Sequence, residues 1–200
     1  MKALDLYNIR KRYFGYEDIA RIRGIRPASA KVAASRYVKQ GLLVRLKSNL
    51  YMLRHKWEST SLEEKFRLAN LIQSPSYLSL TTALAYYERS TQVQQNFFES
   101  IAIRRTKEIQ LDGTVFRYSK INDDLYFGFR KEKEFFIASP EKALLDAVYL
   151  MSCGRYALDL PALEIGRFDR NTICELVKRF PEKTRSLLKR HGYFQTTRTI

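Results

Sequence analysis

The chain has 200 residues, 45% of them apolar and 13% aromatic, so its composition excludes wholesale disorder and suits one large domain or two small ones. Thirty-six Lys and Arg against 21 Asp and Glu give a net charge of +15, which favours an anionic partner. No stretch reaches the ~18 apolar residues of a membrane span, and the first 12 residues lack the apolar segment of a signal peptide. Two cysteines, Cys153 and Cys174, are too few for a disulfide framework, so we expect a cytoplasmic protein.

The positive charge is concentrated near the N-terminus. Residues 1–56 carry fourteen Lys and Arg against three Asp and Glu, a net charge of +11, whereas the other 144 residues carry only +4. Such a segment attracts a polyanion, and binding releases the counterions that are condensed on the polyanion. Charge alone also fits a solubilising surface, so the interpretation depends on the structure that this segment forms.

Two short helices are predicted inside this basic segment. Residues 16–23 have apolar positions at helical spacing, acids in the first turn, and Gly24 directly after the last turn. A second helix is predicted over residues 27–40, with Pro27 in its first turn and a glycine after its end. A preceding helix over residues 4–12 would complete a three-helix unit of the helix-turn-helix kind.

A β-hairpin is predicted directly after the second helix. Residues 42–46 and 50–53 are short apolar runs on either side of a polar turn, Lys47-Ser48-Asn49. Helix, turn, helix and hairpin in this order are typical of a winged helix-turn-helix. We therefore predict a DNA-binding domain over residues 1–56 and a second domain over residues 57–200.

Helical periodicity separates the inner and outer faces of the second predicted helix. The inner face is expected to contain Ala30, Ala33, Ala34, Tyr37 and Val38. The outer face, the residue before the helix and the hairpin supply the candidate DNA-binding residues: Arg26, Ala28, Ser29, Lys31, Val32, Ser35, Arg36, Lys39, Arg45, Lys47, Ser48 and Asn49.

These candidates differ in the contacts that they are expected to make. Arg36 or Lys31 is suited to guanine, and small apolar side chains on the same face are suited to a thymine methyl group. The serines and the hairpin residues are expected at phosphates or in the minor groove. Structural alternatives remain open, because Lys39 also suits a helix C-terminus, Asn49 suits a turn, and Val32 could pack against the second domain.

The second domain is predicted to be α+β, with an antiparallel sheet packed by helices. Helices are expected over residues 62–72 and 80–89, from Pro140 to Gly154, and over residues 170–179 and 182–191, with Ser61, Ser79 and Ser139 as caps. Short strands are expected at residues 100–104, 108–111, 115–118, 125–129 and 134–137. Asp112-Gly113 predicts a tight hairpin turn, and residues 122–124 a longer one.

No catalytic motif stands out. The chain lacks a glycine-rich phosphate loop, a nucleophile elbow and a histidine-pair metal motif, and His55 and His191 have no neighbouring His or Cys. Glu141, Lys142 and Asp146 suggest a nuclease site, but a first-turn acid and an i,i+4 pair explain them more simply. We therefore expect no enzyme activity, no cofactor and no metal.

Three segments resemble AbiEi-type antitoxins, which belong to the abortive-infection (type IV) toxin–antitoxin systems of bacteria. They are GLLVRLKSNLY at 41–51, YLSLTTALAYY at 77–87 and IASPEKALLD at 137–146, and the likeness extends over residues 16–151. The family usually has glycine at the tip of the wing, where this chain has Asn49. The last fifty residues match nothing familiar.

The resemblance implies a winged-helix repressor that binds inverted repeats in its own promoter. It also implies a functional partner, a nucleotidyltransferase toxin, neutralised through the second domain without a stable complex as the rule. The acidic, glycine-serine metal motif of such a toxin is absent here. Two other interpretations stay open: a protein-interaction module that docks through the winged helix, and a nuclease-like enzyme.

Overall fold

A computed structural model describes the backbone of residues 3–92 and 94–190, with side chains from residue 6 onward. Contacts divide the chain into an N-terminal unit, Met1–Lys65 with Leu111–Gly113, and a C-terminal unit, Phe66–Gln110 with Thr114–Ile200. Helices and strands are both well represented, so the protein is of the mixed α+β class, as its sequence predicts. No helix in the described ranges has the length and apolar character needed to cross a bilayer.

The N-terminal unit begins with three helical segments. A 3₁₀ helix, Ala3–Asn8, is followed by α1 (Tyr16–Arg23) and α2 (Pro27–Lys39). The helix predicted over residues 4–12 is therefore observed in part, as a 3₁₀ helix that ends at Asn8 because three charged residues follow Ile9. The predicted stop at Gly24 is confirmed, since its φ of 59° places it in the left-handed region that glycine tolerates.

A small antiparallel sheet follows α2. Strands β1 (Leu43–Lys47) and β2 (Leu50–Leu53) pair as the predicted hairpin. Phe14, in the segment before α1, exchanges two backbone hydrogen bonds with Tyr51 at 3.1 and 2.8 Å. These bonds connect the hairpin to the residues directly before α1. The short helix α3 (Arg54–Glu58) then buries Trp57.

The C-terminal unit combines helices with one larger sheet. Its helices are α4 (Leu62–Ile72, which begins in the N-terminal unit), α5 (Leu80–Tyr86), α6 (Pro140–Ser152), α7 (Arg170–Leu176) and α8 (Glu182–Arg190). Its strands are β3 (Ser76–Leu78), β4 (Phe97–Ala102), β5 (Lys107–Leu111), β6 (Thr114–Lys120), β7 (Phe129–Glu132) and β8 (Phe135–Ala138). The last residue of the final predicted helix, His191, lies outside the described residues.

The larger sheet is mixed, so the prediction of an antiparallel sheet is wrong. Its strand order is β5-β6-β4-β3-β8-β7, with β4 parallel to β6 and β3 parallel to β8. Antiparallel pairing joins β3 to β4 and β7 to β8. One parallel pair arises because β6 pairs with β4 as well as with β5, so that β6 lies between them. The other arises because β8 pairs with the short central strand β3.

One predicted turn is confirmed and another is not. Asp112-Gly113 connects the neighbouring strands β5 and β6, as predicted. Residues 122–124 form no hairpin, because β6 and β7 are not neighbours in the sheet. A 3₁₀ turn, Asp123–Leu125, stands at the start of the predicted strand over 125–129, and β7 begins only at Phe129.

Candidate nucleic-acid interface

The inner face of α2 packs into the core of the N-terminal unit. Ala30, Ala33, Ala34 and Tyr37 are buried, together with Ile19 of α1. Three alanines allow the backbone of α2 to lie close to its neighbours, which fixes the helix in one rotation about its axis. Val38, the fifth predicted inner residue, is partly buried against the same core. The opposite face is therefore turned outward.

The outer face of α2 carries the predicted contact residues. Those on the helix and directly before it are all exposed to solvent: Arg26, Ala28, Ser29, Lys31, Val32, Ser35, Arg36 and Lys39. Val32 is 54% exposed, so its side chain is accessible from outside the protein. The structure thus brings the predicted base-reading side chains together on one accessible helix face.

The hairpin adds a second row of exposed polar side chains. Arg45 lies between the buried residues Val44 and Leu46, because side chains alternate along β1. Lys47 and Ser48 are also exposed. The hairpin therefore offers cationic and hydroxyl groups in the same unit as the exposed face of α2.

Most cations of this surface are not neutralised within the protein. In the described part of the chain, no acid lies within 4.0 Å of the charged groups of Arg26, Lys31, Arg36, Lys39 or Arg45. The buried acids of the unit pair with other bases: Asp18 with Lys11 and Arg21, and Glu64 with Arg12. The exposed cations consequently remain available to an external anion.

Asn49 has a structural role at the tip of the hairpin. Its φ of 51° lies in the left-handed region, which asparagine tolerates better than most residues. Its Oδ1 accepts a hydrogen bond from Tyr16 N at 2.8 Å, and its Nδ2 donates to Glu17 Oε1 at 2.8 Å. The bond from Asn49 also lowers the pKa of Glu17. A DNA contact by Asn49 stays a prediction, and its amide is already engaged by α1.

Ser35 is likewise engaged within the protein. Its hydroxyl donates to the carbonyl oxygen of Lys31 at 3.2 Å, one helical turn earlier. A contact from Ser35 to a base or phosphate would use the remaining lone pairs of its oxygen or require rotation about χ1. Ser29 has the same chemistry nearer the N-terminus of α2, where backbone N–H groups also favour phosphate.

Asp18 stabilises the start of α1, a role that the sequence pattern did not indicate. Its Oδ1 lies 2.7 Å from Lys11 Nζ and 2.5 Å from Arg21 Nη2, and its Oδ2 accepts from Gly15 N at 3.2 Å. Burial opposes ionisation of this carboxyl, but these hydrogen bonds and charges outweigh it, so the pKa of Asp18 is lowered. The signal in the sequence was only an acid in the first turn of a helix.

Asp18→Asn is expected to destabilise the N-terminal unit by about 1–3 kcal/mol at neutral pH, because charge-assisted hydrogen bonds are lost. A carboxyl with a lowered pKa stabilises the fold above its unfolded value of 3.8, and this contribution disappears as the pH falls through the folded value. The difference between wild type and variant should therefore shrink below about pH 4. Fluorescence of Trp57, the single tryptophan, measures this in urea titrations; a difference independent of pH would contradict the assignment.

The nuclease-like trio of the C-terminal unit does not form an open site. Lys142 and Asp146 pair directly, as expected from their i,i+4 spacing, but neither side chain has any exposed surface. Tyr77 OH and Ser79 Oγ donate to Asp146 Oδ2 at 3.0 and 2.8 Å. Ser79 thus uses its hydroxyl on Asp146 instead of capping α5. All four residues of this network lie in the segments 77–87 and 137–146, which were singled out in the sequence for their resemblance to AbiEi-type antitoxins.

Comparisons with protein-family models and with curated proteins find no match for this chain. Its likeness to AbiEi-type antitoxins therefore depends on the three sequence segments alone. The physical evidence for function is the exposed cationic face of α2 and its neighbouring hairpin.

Proposed function

We propose that the N-terminal unit is a winged helix-turn-helix that binds double-stranded DNA, and that the chain is a cytoplasmic transcriptional repressor. The observation that carries the proposal is the exposed face of α2, whose cations have no acidic partner among the described residues. The element order and the pairing of Phe14 with Tyr51 support it, because this pairing joins the hairpin to the segment directly before α1. The proposal involves no catalytic step, cofactor or metal.

In this proposal α2 enters the major groove. Lys31 or Arg36 would donate to guanine O6 and N7, and Ala28 and Val32 would contact thymine methyl groups. The exposure of Val32 has a function in this arrangement, since the methyl group of thymine would cover it.

Contacts to the sugar-phosphate backbone would come from both ends of α2 and from the hairpin. Arg26 and Ser29 lie at the start of the helix, where backbone N–H groups favour a phosphate. Lys39 lies in its last turn, and Arg45, Lys47 and Ser48 would contact a neighbouring phosphate or the minor groove. Such contacts position the protein, whereas sequence is read by α2.

The regulatory part of the proposal comes from the resemblance to AbiEi-type antitoxins. One chain would bind one half-site, so two copies would cover an inverted repeat in the promoter of the operon. The functional partner would be a nucleotidyltransferase toxin, neutralised through the C-terminal unit. Co-expression with the product of a neighbouring nucleotidyltransferase gene tests this part: rescue of growth supports it, and continued toxicity contradicts it.

DNA binding is tested with the duplex upstream of the gene and a scrambled duplex of equal length, across a salt series. Wild type should prefer the upstream duplex, with an affinity that falls as salt rises. Lys31→Ala/Arg36→Ala should weaken binding to the upstream duplex at least ~10-fold and reduce the preference. The matched control Lys178→Ala/Lys183→Ala removes the same charge from exposed positions in the C-terminal unit.

Two results would contradict the operator model. Equal and weak binding to both duplexes would mean that the basic face acts only through its charge. Loss of binding in the control variant equal to that in the α2 variant would show that net charge, and not the α2 surface, determines affinity. Either result would favour the alternative of a module that docks a partner protein.

A further inference from the structure

A second group of exposed bases lies in the C-terminal unit. Its members come from the loop after β4, the ends of β5 and β6 and the residue after the turn that ends α6, and we call them the strand-end patch: Arg104, Arg105, Lys107, Lys120 and Arg155. Arg104, Arg105 and Lys107 lie close together in sequence, whereas Lys120 and Arg155 come from other segments. None of the five residues belongs to the predicted DNA-binding set on α2 and the hairpin.

Pairing in the larger sheet brings these residues together. Strands β4 and β6 are parallel, with Ala102 opposite Lys120, so the C-terminal ends of both strands lie side by side. Lys120 N donates to Thr106 Oγ1 at 3.0 Å, which holds the loop after β4 against the end of β6. Arg155 Nη2 donates to Lys120 O at 2.6 Å, so the third segment is fixed to the same place.

The charges of the strand-end patch are not balanced by ion pairs. In the ranges that the structure describes, no acid lies within 4.0 Å of these five charged groups. Glu108, the nearest acid in β5, pairs instead with Arg117, with an Nη2–Oε2 distance of 2.8 Å. Asp123 and Asp124 follow Lys120 in the chain and are exposed. Five exposed cations close together at these strand ends favour binding of an anion with several charges.

The surroundings of the patch distinguish between two kinds of polyanion. Protein interfaces depend on buried apolar or aromatic anchors, whereas a nucleic-acid backbone can be bound by cations and hydroxyls alone. Among the described residues, the large apolar side chains that are exposed are Tyr7, Val32, Leu62 and Phe136, and none belongs to the loop or strand ends of the patch. The patch therefore fits a phosphate backbone better than an acidic protein surface.

We propose that the strand-end patch binds the phosphate backbone of duplex DNA without reading its sequence, a second contact in addition to that of α2. This inference rests on the proposed function insofar as it takes DNA as the ligand. Arginines 104 and 105 would each donate to phosphate oxygens, Lys107 and Lys120 would add point charges, and Arg155 would keep the loop and strand end in place.

The test uses the full chain with Arg104→Gln/Arg105→Gln/Lys107→Gln, which removes three charges and leaves the hydrogen bonds of Thr106 and Arg155 intact. Its affinity should fall ~10–100-fold at ~0.15 M salt, equally on the upstream and scrambled duplexes. The slope of log affinity against log salt should become smaller by ~2–3. Lys178→Gln/Lys183→Gln/Lys189→Gln, with the same charge change at exposed positions of α8 and the turn before it, should change affinity less than about threefold.

Two further measurements secure the interpretation. Arg104→Lys/Arg105→Lys should keep the wild-type salt slope, and thermal unfolding should show that the triple variant is folded. A triple variant whose slope equals that of wild type or of the α8 control overturns the proposal. Displacement of DNA by polyglutamate as readily as by duplex of equal charge also overturns it, in favour of an acidic protein partner.

The patch and the operator model fail in different ways. If wild type prefers its upstream duplex, Lys31→Ala/Arg36→Ala abolishes that preference and the triple variant behaves as wild type, the patch fails and the operator model stands. If the triple variant loses binding while Lys31→Ala/Arg36→Ala changes nothing, the patch stands and the operator model fails. A wild-type chain that binds neither duplex at ~50 mM salt overturns both.

Discussion

Asp146→Asn is expected to lower the free energy of unfolding by ~3 kcal/mol, because it leaves the Lys142 ammonium buried without its carboxylate. Neither side chain of this pair has exposed surface. Burial raises the pKa of Asp146 and lowers the pKa of Lys142, since both charged forms lose their hydration. Each charge is tolerated in the interior only because the other one is present.

The surroundings of the pair explain why the loss should be large. The rings of Phe127 and Phe180 have their centroids 4.8 and 5.2 Å from Lys142 Nζ, so apolar side chains enclose the cation. Among the described residues, Lys142 Nζ has polar contacts with Asp146 and with Tyr77 OH, the latter at 3.0 Å. In Asp146→Asn, this hydroxyl and a neutral amide oxygen would have to satisfy an ammonium group that has three protons to donate.

Urea denaturation measures the change in the free energy of unfolding of Asp146→Asn. A double variant separates the effect of an unpaired buried charge from the effect of altered packing. Lys142→Met/Asp146→Leu removes both charges and fills similar volume, so it should be more stable than Asp146→Asn by at least about 1 kcal/mol. It should stay below wild type, because Tyr77 OH and Ser79 Oγ lose their acceptor. If Asp146→Asn alone costs less than about 1 kcal/mol, the pair is not the buried ion pair that the geometry indicates.

The same variant should have an unusual pH dependence. Once Asp146 is neutral, folding favours the uncharged form of Lys142, whereas the unfolded chain keeps its lysine protonated up to the ordinary value of 10.5. The unfolded state then binds more protons, so stability of Asp146→Asn should rise between neutral pH and about pH 10. Wild type should show a smaller rise, because Asp146 favours the charged form of Lys142, and the double variant, which lacks the lysine, should show none.

Local sequence signals predicted α1, α2 and the hairpin of β1 and β2. Gly24 and Pro27 mark a helix end and a helix start, and the apolar period of α2 identified which residues are buried. The turn before β2 was evident from polar residues between two apolar runs. These features depend on interactions between residues close in sequence, which a single sequence displays directly.

Strand order, strand direction and the burial of Lys142 could not be predicted from local signals, because they depend on residues that are distant in sequence. Alternation of apolar residues indicates that a segment is a strand, but strand order and direction depend on which distant segments pair. The central strand β3 has only three residues and follows Ser74-Pro75, which by itself indicates a break. The burial of Lys142 likewise depends on Phe127 and Phe180, which come from other segments.

The candidate site shows the same division. Helical periodicity predicted the outward face of α2 without any knowledge of its neighbours, and every outward residue named is exposed. The engagement of Asn49 with Glu17, 32 residues earlier, could not be read from the turn alone. The strand-end patch was missed for the same reason, since parallel pairing of β4 with β6 assembles it.

Phe66→Ala is expected to destabilise the C-terminal unit by ~3–5 kcal/mol, the usual range for truncation of a buried phenylalanine. The Phe66 ring is buried, with ring centroids 5.7 Å from Tyr86, 5.7 Å from Phe98 and 5.2 Å from Phe135. All three contacts are edge-to-face, a geometry that adds to the free energy of burial. One truncation therefore removes the common neighbour of three aromatic side chains from α5, β4 and β8.

The measurement also tests whether the two units are separate domains, as the division of the chain suggests. Hydrogen exchange of peptides from β4 and β6 reports on the C-terminal unit, and Trp57 fluorescence reports on the N-terminal unit. Phe66→Ala should speed exchange in β4 and β6 and leave the Trp57 transition in place, because α2 and its core lie in the other unit. Phe66→Leu keeps an apolar side chain at the site and should cost less than half as much. A common shift of both probes would mean that the units unfold together, and DNA binding by α2 would then depend on the C-terminal core as well.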